Sequence, residues 1–267
     1  MRKSVKQQLA LRVLSTAALM AMVSSIATAA FADTYDLNKG SVDILAEDGK
    51  QYITQWENES KGTYATDDKG EIKKRPDDDI TLTTKDETTG KTETTSNTVT
   101  IDAKEGNTAD VTLENVHIEV DTAKAKSGAI EIKGDGDTNL ELNGDNTVLV
   151  TNQWFKDEHA AIEKADTYGK EGTLTIKDDV NDDGSEKTGT KADTTGTLLA
   201  GGFHGTAAIG GGNGDRYSGE DSLADTSNIT ITGGKITAIA GNDGGAGIGG
   251  GYNGTGKNIR IEGNASN

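Results

Sequence analysis

Two small residues followed by isoleucine recur four times in this chain, and this repeat restricts the fold more than any other feature. The copies are Gly128-Ala129-Ile130, Ala160-Ala161-Ile162, Ala207-Ala208-Ile209 and Ala246-Gly247-Ile248; the last two run on into glycine triplets. The isoleucines are 32, 47 and 39 residues apart, a unit of roughly 30 residues lengthened by loops. Between the copies lie short segments that alternate apolar and polar residues, the period of a half-buried strand. They are Thr98 to Ile101, Val111 to Val120, Ala129 to Ile132, Asn139 to Leu142, Thr147 to Val150, Thr173 to Ile176, Asn228 to Gly234 and Asn258 to Gly263. No comparable segment carries a helical period outside the first 32 residues.

A repeat built from strands alone cannot bury its apolar face within one unit, so successive units must stack. The expectation is an all-β fold, a right-handed parallel β-helix (solenoid) with an N-terminal cap region. Ile229 and Ile231 should face inward with Thr230 and Thr232 outward, and Ile259 and Ile261 should repeat the inward row one rung later. Glycines at the corners should let neighbouring rungs approach where a Cβ would clash. A β-propeller, the rival repeat architecture, would need four antiparallel strands and usually an aromatic residue per blade, whereas only 4% of this chain is aromatic.

Composition removes several functions. The chain has no cysteine, which excludes disulfides and thiolate metal sites, and a formal charge of -17 opposes binding to nucleic acid or anionic lipid. Residues 1–32 read as a secretory signal peptide. Arg2, Lys3, Lys6 and Arg12 precede an apolar stretch of about 14 residues, too short to span a bilayer, and Ala30-Phe31-Ala32 suits a signal peptidase. Cleavage after Ala32 removes four of the 27 basic residues and none of the 44 acidic ones, taking the charge from -17 to -21. Nothing later in the chain has the length of a membrane span. The expected location is extracellular, at the cell surface or cell wall.

Residues 33–96 differ in having fewer glycines, Tyr35, Tyr52 and Tyr64, Trp56 and the only proline, Pro76. They read as a β-rich cap with the first coils, and 97–267 as glycine-rich β-helix repeats truncated at the C-terminus, with further coils or a wall anchor as the missing partner.

The strings DLNKGSVDI (36–44), VTLENVHI (111–118), GTLTIKDD (172–179), GTLLAGG (196–202), AAIGGG (207–212), NITITGGKITAIAGNDGGAGIGGG (228–251) and NIRIEG (258–263) resemble the glycine-rich repeat proteins secreted by anaerobic gut Firmicutes. These are described as adhesin-like or carbohydrate-binding-domain proteins with a predicted parallel β-helix. The resemblance implies a surface-associated protein that binds a glycan or host-surface ligand through a repetitive face. The alternatives are a polysaccharide hydrolase or lyase on the same scaffold and, third, a structural component of the cell wall.

A catalytic reading finds little support. Phe203-His204-Gly205 and Arg260-Ile261-Glu262 superficially match elements of polygalacturonase-like enzymes, but Phe203 replaces a glycine and Glu262 the substrate-binding lysine. No catalytic residue is assigned. For a sugar ligand, Trp154 and Phe155 offer stacking faces, with His159 beside them. Calcium is the one cofactor suggested: Asp179, Asn181, Asp183 and Gly184 follow D-x-[DN]-x-[DN]-G, with Glu186 standing in for the acid missing at Thr190. Asp135, Asp137 and Asn139 form a shorter imitation. The glycine strings 245–250 and 249–254 fit G-x-G-x-x-G but lead into a turn and a strand rather than a helix, against dinucleotide binding.

Overall fold

A computed structural model describes residues 33–58, 63–64, 75–151, 158–178, 196–214 and 223–262, all within one compact unit that begins at Ala32. In chain order the strands are β1 (Thr34–Asp36), β2 (Val42–Glu47), β3 (Lys50–Asn58), β4 (Thr63–Tyr64), β5 (Arg75–Pro76), β6 (Ile80–Thr83), β7 (Val99–Ala103), β8 (Thr108–Glu114), β9 (His117–Asp121), β10 (Ile130–Lys133), β11 (Asp137–Asn143) and β12 (Asp145–Thr151). They continue as β13 (Ile162–Glu163), β14 (Leu174–Asp178), β15 (Thr197–Gly201), β16 (Ile209–Gly210), β17 (Thr226–Ile231), β18 (Lys235–Ile239), β19 (Ile248–Gly249) and β20 (Gly256–Ile261). One turn of helix, α1 (Thr122–Ala125), and one 3-10 turn, Leu37–Lys39, complete the described elements. The protein is all-β, with its strands in largely parallel sheets.

From β7 to β20 the chain visits three sheets in strict rotation. The first sheet is ordered β1-β6-β8-β11-β14-β17-β20, the second β19-β16-β13-β10-β7-β2-β3-β4, and the third β18-β15-β12-β9. Within that stretch each strand pairs in parallel with the third strand before or after it. One rung is therefore three strands. Like residues stand over like: Val42, Val99, Ile130, Ile162, Ile209 and Ile248 form one column of register partners. The first five are almost wholly buried and Ile248 packs against the same core. Each buried isoleucine or valine contributes roughly 1.5–3 kcal/mol of transfer free energy. A core assembled this way needs few aromatic residues.

The alternation in the sequence maps directly onto this geometry. Leu140 and Leu142 on β11 stack on Val111 and Leu113 of β8, while Asn139 and Glu141 alternate with them on the opposite face. Ile229 and Ile231 pair with Ile259 and Ile261 as the periodicity requires. One segment differs from expectation. Val111 to Val120 forms two strands, because Asn115 takes a left-handed φ of 53° and turns the chain from the first sheet to the third. Asn146, buried at the same corner one rung on, accepts from Val116 N at 2.9 Å and donates to Thr197 O at 3.2 Å, tying three rungs together.

The N-terminal segment joins the second sheet directly. β2 pairs in parallel with β7 and antiparallel with β3, the two being joined at Asp48-Gly49, where both residues have positive φ, as a two-residue hairpin demands. β3 thus covers the edge that β2 would otherwise present, which is how an end cap blunts a strand edge.

Candidate functional site

The outward face of the first sheet carries rows set by the same register. Asp110, Asn139, Thr175, Thr230 and Arg260 are successive partners, and Asn139 Nδ2 donates to Asp110 Oδ1 at 2.8 Å. Beside them Thr112, Glu141 and Lys177 line up, with Lys177 Nζ 3.7 Å from Glu141. Asn258 Nδ2 donates to Asn228 Oδ1 at 2.9 Å. These rows are polar, partly exposed and repeat at the spacing of adjacent strands, about 4.8 Å.

The corner leading from the third sheet back to the second holds a shallow cleft of about 380 Å³ lined by His204, Gly205, Asn213, Asp243 and Tyr252. His204 has a φ of 43° and Asp243 a φ of 70°, both uncommon for residues with side chains. His204 Nδ1 is 3.3 Å from Asp243 Oδ2, and the Phe203 ring meets the imidazole edge-on at 4.5 Å. The cleft thus sets an aromatic ring beside an imidazole, a carboxylate and an amide, the combination of apolar face and convergent polar groups found in small-ligand sites. The sequence singles out His204, but only the fold brings Asn213, Asp243 and Tyr252 to it.

A second cluster is buried. Glu131 and Glu163 follow the repeat isoleucines of β10 and β13 and are register partners, so the two carboxylates belong to the same face of adjacent rungs. They are 4% and 0% exposed because chain segments lie over them. The glycine run after Ile209 supplies part of that cover: a Cβ on Gly212 would fall 2.8 Å from Glu163 Oε2. Asn213 N donates to Glu158 O at 2.9 Å, fastening the two covering segments together. His159 Nδ1 lies 2.9 Å from Glu163 Oε1 and 3.7 Å from Glu131 Oε1. Ala160 N donates to Glu163 Oε2 at 2.8 Å, Gly128 N to Glu131 Oε1 at 3.3 Å, and Lys133 Nζ pairs with Glu131 Oε2 at 2.7 Å. Lys133 also sits 4.9 Å above the Tyr168 ring, and Tyr168 is bonded to Glu163. Burial raises the Glu163 carboxyl above its usual range, partly offset by His159, and raises the Tyr168 hydroxyl as well.

Of the residues expected at a sugar site, Trp154 and Phe155 lie outside the described residues, and so do Asp179, Asn181, Asp183 and Glu186 of the expected calcium loop. His159 is described and is 7% exposed. Its ring is enclosed beside Glu131 and Glu163. The shorter acidic string is also accounted for. Asp135 Oδ1 accepts from Lys170 N at 2.9 Å and Asp137 Oδ1 from Thr173 N at 2.8 Å, so these acids satisfy backbone donors of the next rung. The glycine strings at 245–254 hold β19 and a turn, with no helix opening there.

Comparison with protein-family profiles, curated proteins and solved structures found no match to this chain.

Proposed function

We propose that this is an exported, surface-associated binding protein built on a right-handed parallel β-helix, which holds carbohydrate on its outer rows and in the His204–Tyr252 cleft and performs no catalysis. The observation that carries this reading is the unbroken three-sheet rotation with like residues in register. Such a scaffold repeats a weak contact at fixed intervals, so a polymeric ligand with its own repeat gains avidity without any deep pocket. The cleft supplies what the flat rows lack, an aromatic face at Tyr252 for sugar C–H groups beside polar groups for hydroxyls. The acidic charge favours neutral or basic ligands over polyanions.

A glycan array probed with the secreted chain and with Tyr252→Ala tests the reading. Binding to one or more glycans, reduced at least about tenfold by the substitution, is expected from loss of a stacking contact worth more than ~1.4 kcal/mol. No glycan bound by the parent, or undiminished binding by Tyr252→Ala, overturns it. The His204–Asp243 contact favours one second reading, a polysaccharide hydrolase or lyase. Release of new reducing ends or unsaturated products from the bound glycans, abolished by His204→Ala, would establish that reading in place of the first.

A further inference from the structure

We infer that Glu131, His159 and Glu163 form a binding site for a single divalent transition-metal ion, zinc being the best fit, which clips the rung of β10 to the rung of β13. One donor atom from each of the three residues lies within 4.8 Å of the others, and all three residues are buried. At metal–ligand distances of about 2.0–2.1 Å, two ligands of a tetrahedral ion stand roughly 3.3–3.5 Å apart. The observed separations from His159 Nδ1, 2.9 Å to Glu163 Oε1 and 3.7 Å to Glu131 Oε1, straddle that value. Small side-chain adjustments therefore close the set around an ion.

His159 Nδ1 is within hydrogen-bond distance of Glu163 but, at 3.7 Å, beyond it from Glu131. Gly128 N contacts Glu131 Oε1 at 3.3 Å and Lys133 engages the other oxygen. Two carboxylates on adjacent buried rungs repel one another, and a dication between them converts that repulsion into attraction. The partners behind the donors match those of a metal site: Lys133 holds Glu131, while Tyr168 and Ala160 N hold Glu163.

The repeat itself marks the place. The residue after its isoleucine is Glu131, then Glu163, then Gly210 and Gly249. The residue three before the isoleucine is Ser127, then His159, then Thr206 and Gly245. The two acids occupy adjacent rungs, and the histidine occurs only where it meets both. One imidazole nitrogen and two carboxylates suit zinc, cobalt or manganese better than calcium, which takes six to eight oxygen ligands.

The test uses the full chain stripped with a chelator and titrated with Co²⁺ and then Zn²⁺. Expected results are one Co²⁺ taken up per chain with the visible absorption of a four- or five-coordinate ion, its displacement by Zn²⁺, and a higher melting temperature with either metal. Glu163→Gln and His159→Gln should each lose the absorption and the thermal shift, whereas Asp183→Asn, in the calcium-like string of the sequence, should retain both. Absence of uptake by the parent chain overturns the inference, and this result does not depend on whether a variant folds. Uptake retained in both Glu163→Gln and His159→Gln, or lost in Asp183→Asn alone, also overturns it. The glycan array reads the outer rows and the His204–Tyr252 cleft, and the metal titration reads the buried cluster, so either proposal can fail without the other.

Discussion

Gly210 and Gly249 occupy the same place in successive rungs, and a Cβ on Gly210 would lie 2.1 Å from the carbonyl oxygen of Gly249. Both glycines have positive φ, 132° and 138°. The close approach is between backbones, which cannot rotate away, so the rungs must separate to admit a side chain. Gly210→Ala is therefore expected to cost well over the ~1 kcal/mol of a simple left-handed penalty. Gly90→Ala is the matched control, with a φ of 68° and nothing within 4 Å of the added Cβ, and should cost about 1 kcal/mol. Urea denaturation midpoints of the two variants compare these directly. Equal losses would refute the steric argument.

Burial of the isoleucine column should grade stability along the stack. Ile162 is fully buried between Ile130 and Ile209, and Ile162→Ala should destabilise by about 2–5 kcal/mol. Ile261, 65% exposed on the last described rung, should tolerate alanine within about 0.5 kcal/mol. Thermal melts of both variants test the contrast, which is lost if Ile261→Ala proves the more damaging.

Lys164 has a cost that substitution can remove. It is 2% exposed, and its Nζ has no hydrogen-bond partner among the described residues. Continuing the β10–β13 register by one residue sets it beside Ile132, on the side of the inward row. Lys164→Met keeps the length and volume of the stem and removes the buried amine, so stability should rise by about 1–3 kcal/mol. A lower melting temperature for this variant would mean that the ammonium has a partner or a role.

Two aspartates should influence acid stability with opposite sign. Burial holds the Asp43 carboxyl above its ordinary value of 3.8; bonds from Trp56 and Thr100 and the charge of Lys133 oppose this, and Glu131 adds to it. The folded chain then binds more protons than the unfolded one from 3.8 up to the folded value. Stability falls as pH rises through that window, and the full cost persists at neutral pH. Asp43→Asn, which keeps an acceptor for Trp56, should melt higher at pH 7 and show no advantage below pH 3.8.

Asp225 behaves in reverse. The Thr255 hydroxyl and then its N–H, at 2.8 Å and 2.6 Å, hold Asp225 below 3.8, so its contribution is present above that pH and is lost as pH falls through the folded value. Asp225→Asn should lower the melting temperature at pH 7 but not in strong acid. Solvent screening limits the effect to less than about 1 kcal/mol. Melts at several pH values distinguish the two aspartates, and matching signs would contradict the assignment.

Much of the architecture is legible residue by residue. The four repeat isoleucines are one another's register partners, and Ile229 and Ile231 meet Ile259 and Ile261 as their alternation implies. The repeat elements form strands of only two residues on β13, β16 and β19, too short for alternation to mark them as strands. The corner at Asn115 does leave a trace: the apolar alternation slips phase between Leu113 and Val116, where one left-handed residue redirects the chain.

The buried cluster follows a different logic. Alternation sets Glu131 opposite the core-facing isoleucines and register adds Glu163 beside it, a position that reads as solvated because a strand's outer face normally meets water. Their burial comes from the chain around Glu158 and from the glycine run at 210–214, segments about 50 residues apart that are joined at Asn213 and Glu158. The order of residues along the chain dictated the stack, since inward apolar rows can be buried only by laying one rung upon another. Which outward groups are enclosed together was settled by loops meeting across several rungs, because burial depends on neighbours in space that a local pattern does not specify.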